Sequence, residues 1–372
     1  MKLKRFLLIL VVLPLLLNGC GGKEDHIEVP GPPAPIQTED PQDPGTEQPG
    51  ETPGGGSTQT NPWDANRGVV VTPSGSQWTA KTVREGIVYY HFSGKDELSG
   101  KKEEIFAVDV DLNNPKYEVK LTRLASSAFT SDVHKNNKSI ATINAGYEQG
   151  SIYIRSVGVD YSIIPNVQIG TTGQDNWKSE GAFYVTSTGA PGFVYVGSPK
   201  VEGVVPGIKG GTYADAVKKQ RTYYMAMAKA DYPYLLSSAP TLIDDFNPLG
   251  ENFCNYNITD SQVNNLNSEN LERHQRVRHP RTAVGLTENK HLILLVVDGR
   301  QTNRDGFSCR ELTRFMVKWF NPQYALNLDG GGSTAMCVEG QGDSRNVVNS
   351  PIQDGEPGKE RARDTHIVIV EK

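Results

Sequence analysis

The segment from His291 to Thr334 constrains the fold more than any other part of the chain. Leu292 to Val297 is an unbroken Val, Leu and Ile run, which is typical of a strand covered on both faces. Ser308 and Glu311 then have capping-box spacing at the start of a predicted helix. Tyr324 to Leu328 follows as a second strand. This order predicts a parallel strand pair with a right-handed crossover, and the helix is expected to bury one apolar face formed by Leu312, Phe315, Met316, Trp319 and Phe320.

Each of these two strands ends at an aspartate. Asp298 precedes Gly299, and Asp329 precedes Gly330. Because the carboxyl ends of parallel strands meet at one edge of a sheet, where ligands commonly bind, we expect the two acids to lie close together. The alternative for Asp298 is a structural turn, since aspartate before glycine is a common turn pattern.

Three consecutive glycines follow Asp329. Their missing side chains let backbone N–H groups approach a ligand closely, and an anionic oxygen is the usual partner of such a loop. The two hydroxyl residues after them can reach either the anion or the acid. The block therefore predicts an anion site formed by Gly330, Gly331, Gly332, Ser333 and Thr334.

The preceding part of the domain has strand patterns. Phe106 to Leu112 alternates apolar and polar residues, which predicts a strand with one wet face. We expect Tyr117 to Leu121 to pair with it across a short turn. A further strand, Ile140 to Ile143, runs into Asn144 and then Glu148. This strand end is a second candidate site, and the alternative is a polar turn with a solvated Glu148. Together these elements predict an α+β fold, with a mixed β-sheet, packed helices and a strand-helix-strand unit that carries the Asp-Gly-Gly-Gly loop.

The N-terminal region predicts export. Basic residues precede an apolar run, Phe6 to Leu17, which is shorter than the roughly 20 residues of a membrane-spanning helix and reads as a signal peptide. Leu17 to Cys20 resembles a bacterial lipobox, so residues 1–20 are predicted to be a lipoprotein signal with Cys20 as the lipidation site. An ordinary cleaved secretory peptide is the alternative. Residues 21–65 are rich in Pro, Gly and acidic residues and predict a disordered tether, which leaves residues 66–372 as a catalytic domain.

Charge and cysteine content exclude some function classes. A formal net charge of −5 without a basic stripe argues against nucleic acid as a partner. Cys254, Cys309 and Cys337 have no C-x-x-C spacing, so at most one disulfide is expected, with buried thiols as the alternative. The histidines share no ligand spacing. The oxygens of Asp298 and Asp329 could bind a divalent cation such as calcium, but the sequence requires no cofactor, and the identity of any metal stays open.

Several motifs together resemble the phosphodiester glycosidase family. The resemblance extends from about Ile105 to the C-terminus, and its strongest part is the glycine block in register with an Arg-Thr-Ala-Val-Gly motif. Weaker similarities lie at Val348 to Pro351, at Glu360-Arg361 and in the last strand, Ile367 to Val370. The main matching blocks are Asn144 to Tyr147, Ala239 to Ile243, Arg281 to Gly285, Val297 to Gly299 and Asn327 to Thr334.

The resemblance implies cleavage of a sugar from a phosphodiester, such as an N-acetylglucosamine-1-phosphodiester. A phosphate monoester leaves easily, so the main demand is to hold the phosphate, and the planar guanidinium of Arg281 is the first candidate clamp. Asp329 is the expected carboxylate beneath the oxocarbenium-like sugar, with Asp298 as its partner and Glu148 as a further catalytic candidate. Arg281 forming only an ion pair with Asp298 is the structural alternative. The remaining candidate substrate-binding residues are Asn144, Thr282, Asn327 and Arg361, in addition to the glycine block.

The sequence thus predicts an exported, lipid-anchored hydrolase of the cell envelope that acts on a carbohydrate phosphodiester. It would contact the membrane only through its lipid. Two alternatives remain open: a phosphodiesterase that breaks the phosphorus–oxygen bond of the same substrates, and a non-catalytic glycan-binding surface lipoprotein.

Overall fold

The computed structural model describes residues 62–163, 177–197, 211–252, 259–266 and 270–372, which fall in one compact unit, residues 55–372. The strands are, in chain order, β1 (Trp78–Arg84), β2 (Ile87–Lys95), β3 (Lys102–Asp111), β4 (Tyr117–Ala128), β5 (Ala141–Asn144), β6 (Ile154–Ser156), β7 (Val159–Ser162), β8 (Gly181–Val185), β9 (Pro191–Tyr195), β10 (Tyr234–Ser238), β11 (Thr241–Ile243), β12 (Arg281–Leu286), β13 (His291–Val297), β14 (Tyr324–Asn327), β15 (Met336–Val338), β16 (Ile352–Gln353), β17 (Glu356–Pro357) and β18 (Arg363–Glu371). The α-helices are α1 (Thr130–Asn137), α2 (Gly211–Ala226), α3 (Asp260–Asn264), α4 (Leu271–Arg276) and α5 (Cys309–Phe320), and 3₁₀ helices cover Pro62–Asn66, Leu249–Asn252 and Gly331–Ser333.

Most of the strands form three sheets. The largest has the order β1-β2-β3-β13-β12-β14-β11, the second β7-β6-β10-β8-β9 and the third β15-β5-β18-β4, while β16 and β17 form a small hairpin. Strand residues are about twice as frequent as helical residues, 41% against 20%, which confirms the α+β class.

The predicted parallel pair is wrong, and the reason is the intervening strand. β13 and β14 both pair antiparallel with β12, so they run in the same direction without being neighbours. Arg281, at the start of β12, lies opposite Val297, while Ala283 lies opposite Asn327. The carboxyl ends of β13 and β14 and the amino end of β12 therefore share one sheet edge, and Arg281 enters that edge from the strand between the two acids.

The pairing predicted for Tyr117 to Leu121 is also wrong. Both edges of β3 are already hydrogen-bonded, by β2 on one side and β13 on the other. β4 instead crosses to the third sheet, where it pairs with β18. The wet face expected for β3 is confined to its end, because Asp109 and Asp111 are partly exposed whereas Glu103 is fully buried.

Helix α5 forms as predicted. The Ser308 hydroxyl accepts from the N–H of Glu311 in a capping box, and Asn321 ends the helix in the left-handed conformation. Its apolar face packs on the largest sheet, next to β13, which is buried from Leu292 to Val297. Phe315 and Phe320 are therefore core residues, as predicted, and Trp319 packs against them partly buried.

The predicted leader and most of the predicted tether, including Cys20, lie outside the described residues. Pro62 to Ala65, at the end of the tether, belong to a 3₁₀ helix, and Asn66 and Val69 accept hydrogen bonds from the Asn321 side chain. Within the described ranges, none of the helices is long and apolar enough to span a bilayer. Cys309 and Cys337 are buried free thiols, while Cys254 is outside the described residues.

Candidate functional site

A cavity of about 290 Å³ opens at the sheet edge where β12 begins and β14 ends. It contains Asp329, the three glycines after it, Glu148, Arg281 and Arg361 from the sequence prediction. The segment between Asn247 and Pro280 contributes three further residues. The full lining is Tyr147, Glu148, Trp177, Lys178, Arg273, His274, His279, Arg281, Arg300, Asp329, Gly330, Gly331, Gly332 and Arg361.

Asn144 braces the loop that carries Asp329. Its Nδ2 donates to the Asp329 backbone oxygen at 2.7 Å, and its Oδ1 accepts from the Thr282 hydroxyl at 2.9 Å and from the Ala335 N–H at 3.1 Å. The Thr282 hydroxyl also lies 3.4 Å from that of Thr334. These side chains are fully buried behind the cavity, so the structure does not support direct sugar contacts by Asn144, Thr282 or Thr334. They fix the position of the acid instead.

Asn327 has a similar bracing position. Its Nδ2 donates to the Tyr147 hydroxyl at 2.9 Å and to the carbonyl oxygens of Ala239 and Leu328 at 3.0 and 2.9 Å. Asn327 is fully buried, so it too contacts its neighbours and not the cavity. Tyr147 does line the cavity, where its ring lies 5.8 Å from that of Trp177 and forms an aromatic wall with it.

The three glycines are required because neighbouring atoms lie too close to each of them for a side chain. A Cβ on Gly330 would lie 2.6 Å from the Pro280 carbonyl oxygen, and one on Gly332 would lie 2.7 Å from Nη2 of Arg361. Gly331 has a φ of +61°, and a Cβ there would lie 3.1 Å from Nη2 of Arg300. Two guanidinium groups therefore rest directly against the glycine loop. Ser333 is buried beneath it, 3.5 Å from Nη1 of Arg361.

The two cavity acids share one guanidinium. Nη2 of Arg363 lies 3.2 Å from Oδ2 of Asp329, and Nη1 lies 3.5 Å from Oε1 of Glu148. Burial raises the pKa of Asp329 despite the lowering effect of Arg363. Partial burial also acts to raise the pKa of Glu148, but Lys178, 3.6 Å away, and Arg363 together lower it. The surroundings thus shift the two pKa values in opposite directions, with that of Asp329 raised and that of Glu148 lowered.

Arg281 does not have the free guanidinium that was predicted. Its Nε donates to the Phe307 carbonyl at 2.7 Å, and Nη2 donates to the carbonyls of His274 and Val277 at 2.7 and 3.0 Å. Nη1 lies 3.1 Å from Nε2 of His274. Four of the five N–H groups of Arg281 are therefore occupied within the protein, which leaves no pair for a bidentate grip on phosphate. Nor is Arg281 paired with Asp298, so the alternative prediction is also wrong.

Asp298 lies outside the cavity lining. Its carboxylate accepts from Nη1 of Arg304 at 3.0 Å, from Nδ2 of Asn349 at 3.1 Å and from the Ser350 N–H at 3.0 Å. Nδ2 of Asn349 also donates to the Thr334 carbonyl at 3.2 Å, which links Asp298 to the end of the glycine block. Burial raises the pKa of Asp298 to about 6. The structure thus does not bring Asp298 to Asp329 as a catalytic partner.

A divalent cation held jointly by Asp298 and Asp329 stays a prediction from the sequence, and the Asp298 oxygens already accept N–H donors. In the described part of the chain, no group of three His, Cys, Asp or Glu residues is arranged to hold a metal. The cavity is instead strongly cationic. Its lining contains one lysine and four arginines against two acids. The histidines add no charge at neutral pH, since burial and the nearby arginines lower the pKa of His279 to about 2 and that of His274 well below its usual value. Such a cavity attracts an anion.

Sequence reasoning missed Arg300 and Arg363. Both had a visible signal. Arg300 follows Asp298-Gly299 directly. Arg363 lies two residues after Arg361, so the side chains of Arg361 and Arg363 share a face of extended backbone. The sequence gives no such signal for four other lining residues, because only the tertiary fold brings their segments to the sheet edge. These residues are Trp177, Lys178, Arg273 and His274.

The family model of phosphodiester glycosidases matches residues 137–370 of this chain. No curated protein sequence matches it. The catalytic domain of zebrafish N-acetylglucosamine-1-phosphodiester alpha-N-acetylglucosaminidase, auto-inhibited by its pro-peptide, is similar in structure, with a TM-score of 0.50, 19% identity and coverage of 82% of this chain and 87% of that one.

Two further solved structures have TM-scores below 0.5. A hypothetical protein from Synechocystis gives a TM-score of 0.46 at 15% identity, covering 79% of this chain and 64% of its own. A Burkholderia pseudomallei protein that is described as exported gives 0.47 at 12% identity, covering 79% and 96%.

Proposed function

Because the chain belongs to the phosphodiester glycosidase family, we propose that it hydrolyses the bond between the anomeric carbon of a sugar and the phosphate of a phosphodiester. The observation that carries this proposal is the pairing of Asp329 and Glu148 around Arg363, next to a glycine loop covered by arginines. A carboxylate pair serves glycosidic cleavage, and the cationic loop serves the phosphate.

The phosphate is proposed to bind between Arg300, Arg361 and the glycine loop. Arg300 uses Nε to donate to Nδ1 of His279 at 3.2 Å, so its two Nη groups face the loop and can grip two phosphate oxygens. The Gly331 N–H donates to the Pro280 carbonyl at 2.8 Å and is already used. The N–H groups of Gly330 and Gly332 are the backbone donors proposed for the phosphate. This assigns to Arg300 the role that the sequence suggested for Arg281.

The sugar is proposed to lie beside Tyr147 and Trp177, which line the cavity with the Lys178 ammonium over both rings. The acids take different roles because their pKa values are shifted in opposite directions. Glu148 is the ionised carboxylate that stabilises the oxocarbenium-like sugar, either as the base for water or as nucleophile. Asp329 holds a proton more readily and serves as the general acid. This differs from the sequence prediction, in which Asp329 was the carboxylate beneath the ring.

The bond from the anomeric carbon to the phosphate oxygen breaks, and its electron pair stays on that oxygen, which can take the Asp329 proton. The oxygen of water bonds to the anomeric carbon, and the water proton passes to a carboxylate. The products are a free sugar and a phosphate monoester.

Hydrolysis in ¹⁸O-labelled water tests the reaction. The probe is N-acetylglucosamine-1-phosphate esterified to methanol, supplied as both anomers. Label on the sugar is the expected result, whereas label on phosphate would show a phosphodiesterase. Binding of the probe without turnover by the full chain would show a glycan-binding protein instead.

Variants test the assigned acids. Glu148→Gln and Asp329→Asn should each lower kcat by roughly 10²- to 10⁴-fold, the usual contribution of a positioned acid or base. The matched control is Glu85→Gln, at an exposed acid 2.8 Å from Lys116 and outside the cavity lining. Circular dichroism should show an unchanged fold in all three. Wild-type rates in both cavity variants would remove the proposed roles.

The location of the enzyme is also a proposal. We infer attachment to the cell envelope through Cys20, from the apolar run and lipobox in the sequence. Cys20→Ala should move the protein from the membrane fraction to the soluble exported fraction. Retention in the membrane fraction would contradict a lipid anchor at this cysteine.

A further inference from the structure

The β6–β7 hairpin carries a strained valine at its tip. Val157 and Gly158 connect the two strands, and both have positive φ angles, of 50° and 72°. Tight hairpin turns with positive φ favour Asn or Gly, because a β-branched side chain is sterically disfavoured there. Val157 is also 70% exposed, so packing within the domain does not offset the strain. The stability of the fold therefore does not account for a valine at this position.

Val157 begins a row of apolar side chains at one edge of the second sheet. β7 is the end strand of that sheet, and Val159 and Tyr161 follow the tip at every second position. Alternate residues of a strand point to one face, so these two side chains lie together, and Ile163 continues the row. All four side chains are exposed. This hairpin patch, formed by Val157, Val159, Tyr161 and Ile163, is typical of an interaction surface.

Positive charge borders the hairpin patch. The Arg123 guanidinium lies over the Tyr161 ring, 4.1 Å from its centre. Asp160 is the one acid of β7, and two cations bond to it, Nε of Arg155 and Nζ of Lys229, each at 2.7 Å. Lys229 is itself exposed beside the hairpin tip. The patch therefore combines apolar side chains and a tyrosine with cations, which matches the headgroup region of a bilayer with anionic lipids.

The N-terminal part of the chain favours a bilayer as the partner of this patch. The inferred anchor at Cys20 is joined to the domain by the tether predicted for residues 21–65. A disordered chain of this length has an r.m.s. span of roughly 35–40 Å. The anchor therefore holds the domain near the membrane surface, where a weak contact becomes an intramolecular event at high effective concentration. A few apolar side chains are enough for docking under these conditions.

We propose that the hairpin patch docks the domain on the bilayer that carries its lipid anchor, with Val157 at the depth of the lipid headgroups. The proposal rests on the inferred attachment through Cys20 and is independent of the reaction assigned to the cavity. The hairpin also contacts the cavity wall, because the Gln149 side chain donates to the Tyr161 carbonyl at 3.3 Å and Gln149 directly follows Glu148. The docked hairpin holds this part of the cavity close to the membrane surface.

Quenching by brominated lipids tests the contact. The full-length lipidated protein is reconstituted through its anchor into vesicles of phosphatidylethanolamine and phosphatidylglycerol, with or without bromine on the acyl chains. Tyr161→Trp places a fluorescent ring in the patch and keeps an aromatic partner for Arg123. After subtraction of the signal from the four native tryptophans, its fluorescence should be lost in the brominated vesicles.

The matched control is Thr82→Trp. It lies at an exposed position on β1, the end strand of the largest sheet, and should keep its fluorescence in the brominated vesicles. Equal quenching of the two reporters would overturn the proposal, as would an unquenched Tyr161→Trp.

Val157→Asn tests the role of the hairpin tip. Asparagine is polar and tolerates positive φ, so the urea midpoint of unfolding should equal or exceed that of the wild type. In the Tyr161→Trp background, the change should reduce quenching to near the level of the Thr82→Trp control. Unchanged quenching would overturn the proposal. A lower urea midpoint would also overturn it, because Val157 would then have a structural role.

Sedimentation separates this inference from the anchor on which it rests. A chain that sediments with the vesicles while Tyr161→Trp stays unquenched overturns docking and leaves the anchor intact. A chain that does not sediment with them contradicts both. Turnover of the methyl diester of N-acetylglucosamine-1-phosphate in detergent, without a bilayer, should be unchanged in Val157→Asn. Loss of that turnover would overturn the assignment of Val157 to membrane docking alone.

Discussion

The Nη2 atom of Arg363 lies 3.2 Å from Oδ2 of Asp329. The other end of the same guanidinium faces Glu148, so one cation acts on both carboxyl groups. Arg363 is buried, and its Nη2 also donates to the Gly146 carbonyl at 3.1 Å, which fixes the group between the two acids. It lowers the pKa of each acid relative to the value that either would have without it.

Arg363→Gln should therefore move the pH profile of kcat to higher pH. The rising limb follows ionisation of Glu148 and the falling limb follows loss of the Asp329 proton. Removing the cation raises both pKa values, so both limbs shift in the same direction. The measurement is kcat against pH with the methyl diester.

Arg363→Lys is the matched control for this prediction. Lysine keeps the positive charge without the forked geometry, so its profile should stay closer to that of the wild type. A lower kcat with unmoved limbs in Arg363→Gln would assign the residue a structural role only.

Arg300 and Arg281 should behave differently when truncated, although both line the cavity. Arg300→Ala removes two Nη groups that bond to none of the described residues, so binding of inorganic phosphate should weaken by roughly 10- to 100-fold, the usual effect of losing hydrogen bonds to a charged group. Its free energy of unfolding should stay near that of the wild type. Calorimetry and urea unfolding measure the two quantities.

Arg281→Ala should instead lower the free energy of unfolding by several kcal/mol, about 1–3 for each buried acceptor left unpaired. The carbonyls of His274 and Val277 would lose their N–H donor, while the Phe307 carbonyl would keep the His279 N–H at 3.2 Å. Equal stability loss in the two variants would contradict the division between a phosphate clamp and a structural arginine.

Local patterns predicted the elements of this site better than its contacts. The run at β13, the capping box of α5 and the glycine block are signals within single segments, and the structure has each of them. The strand order is not local. β12 enters between β13 and β14, and the sequence does not show this, because strand pairing depends on which edges other strands already occupy.

The roles of individual side chains depend on the same tertiary arrangement. Asn144 and Asn327 have the residue type of sugar ligands, but both are fully buried. Their side-chain amides donate hydrogen bonds to the Asp329 loop instead. Arg281 has the residue type of a phosphate clamp, but its guanidinium already donates hydrogen bonds to three carbonyls and contacts the His274 ring. Residue type therefore indicated the chemistry of the site, while burial decided which members of each type can meet a ligand.

Gly330→Ala and Gly332→Ala should have different consequences. A Cβ at Gly330 meets the Pro280 carbonyl oxygen, a backbone atom that cannot move alone, so a loss of about 1–3 kcal/mol in the free energy of unfolding is expected. A Cβ at Gly332 meets the flexible ends of Arg361 and Gln353. That variant should keep its stability and lose phosphate affinity, because Arg361 is pushed from the loop. Urea unfolding and phosphate calorimetry on both variants measure these effects. Unchanged phosphate affinity in Gly332→Ala would contradict a phosphate site at the loop.

Glu103 offers a test of pH-dependent stability away from the cavity. It is fully buried on β3, and burial raises its pKa to about 8 despite the hydrogen bond from the Gly306 N–H at 3.1 Å. The folded state therefore keeps the proton between about pH 4.5 and 8, where the unfolded chain has lost it. Wild-type stability should fall as pH rises through this window, by at most about 1.4 kcal/mol per pH unit.

Glu103→Gln has no proton to lose and keeps an acceptor for Gly306. Its free energy of unfolding relative to the wild type should therefore rise from pH 5 to pH 8 and then level off, as measured by urea unfolding at each pH. The control is Glu97→Gln, because the exposed Glu97 bonds to Lys318, which lowers its pKa, and no rise with pH is expected there. A constant difference between Glu103→Gln and the wild type over this range would show that the buried carboxyl does not hold its proton at neutral pH.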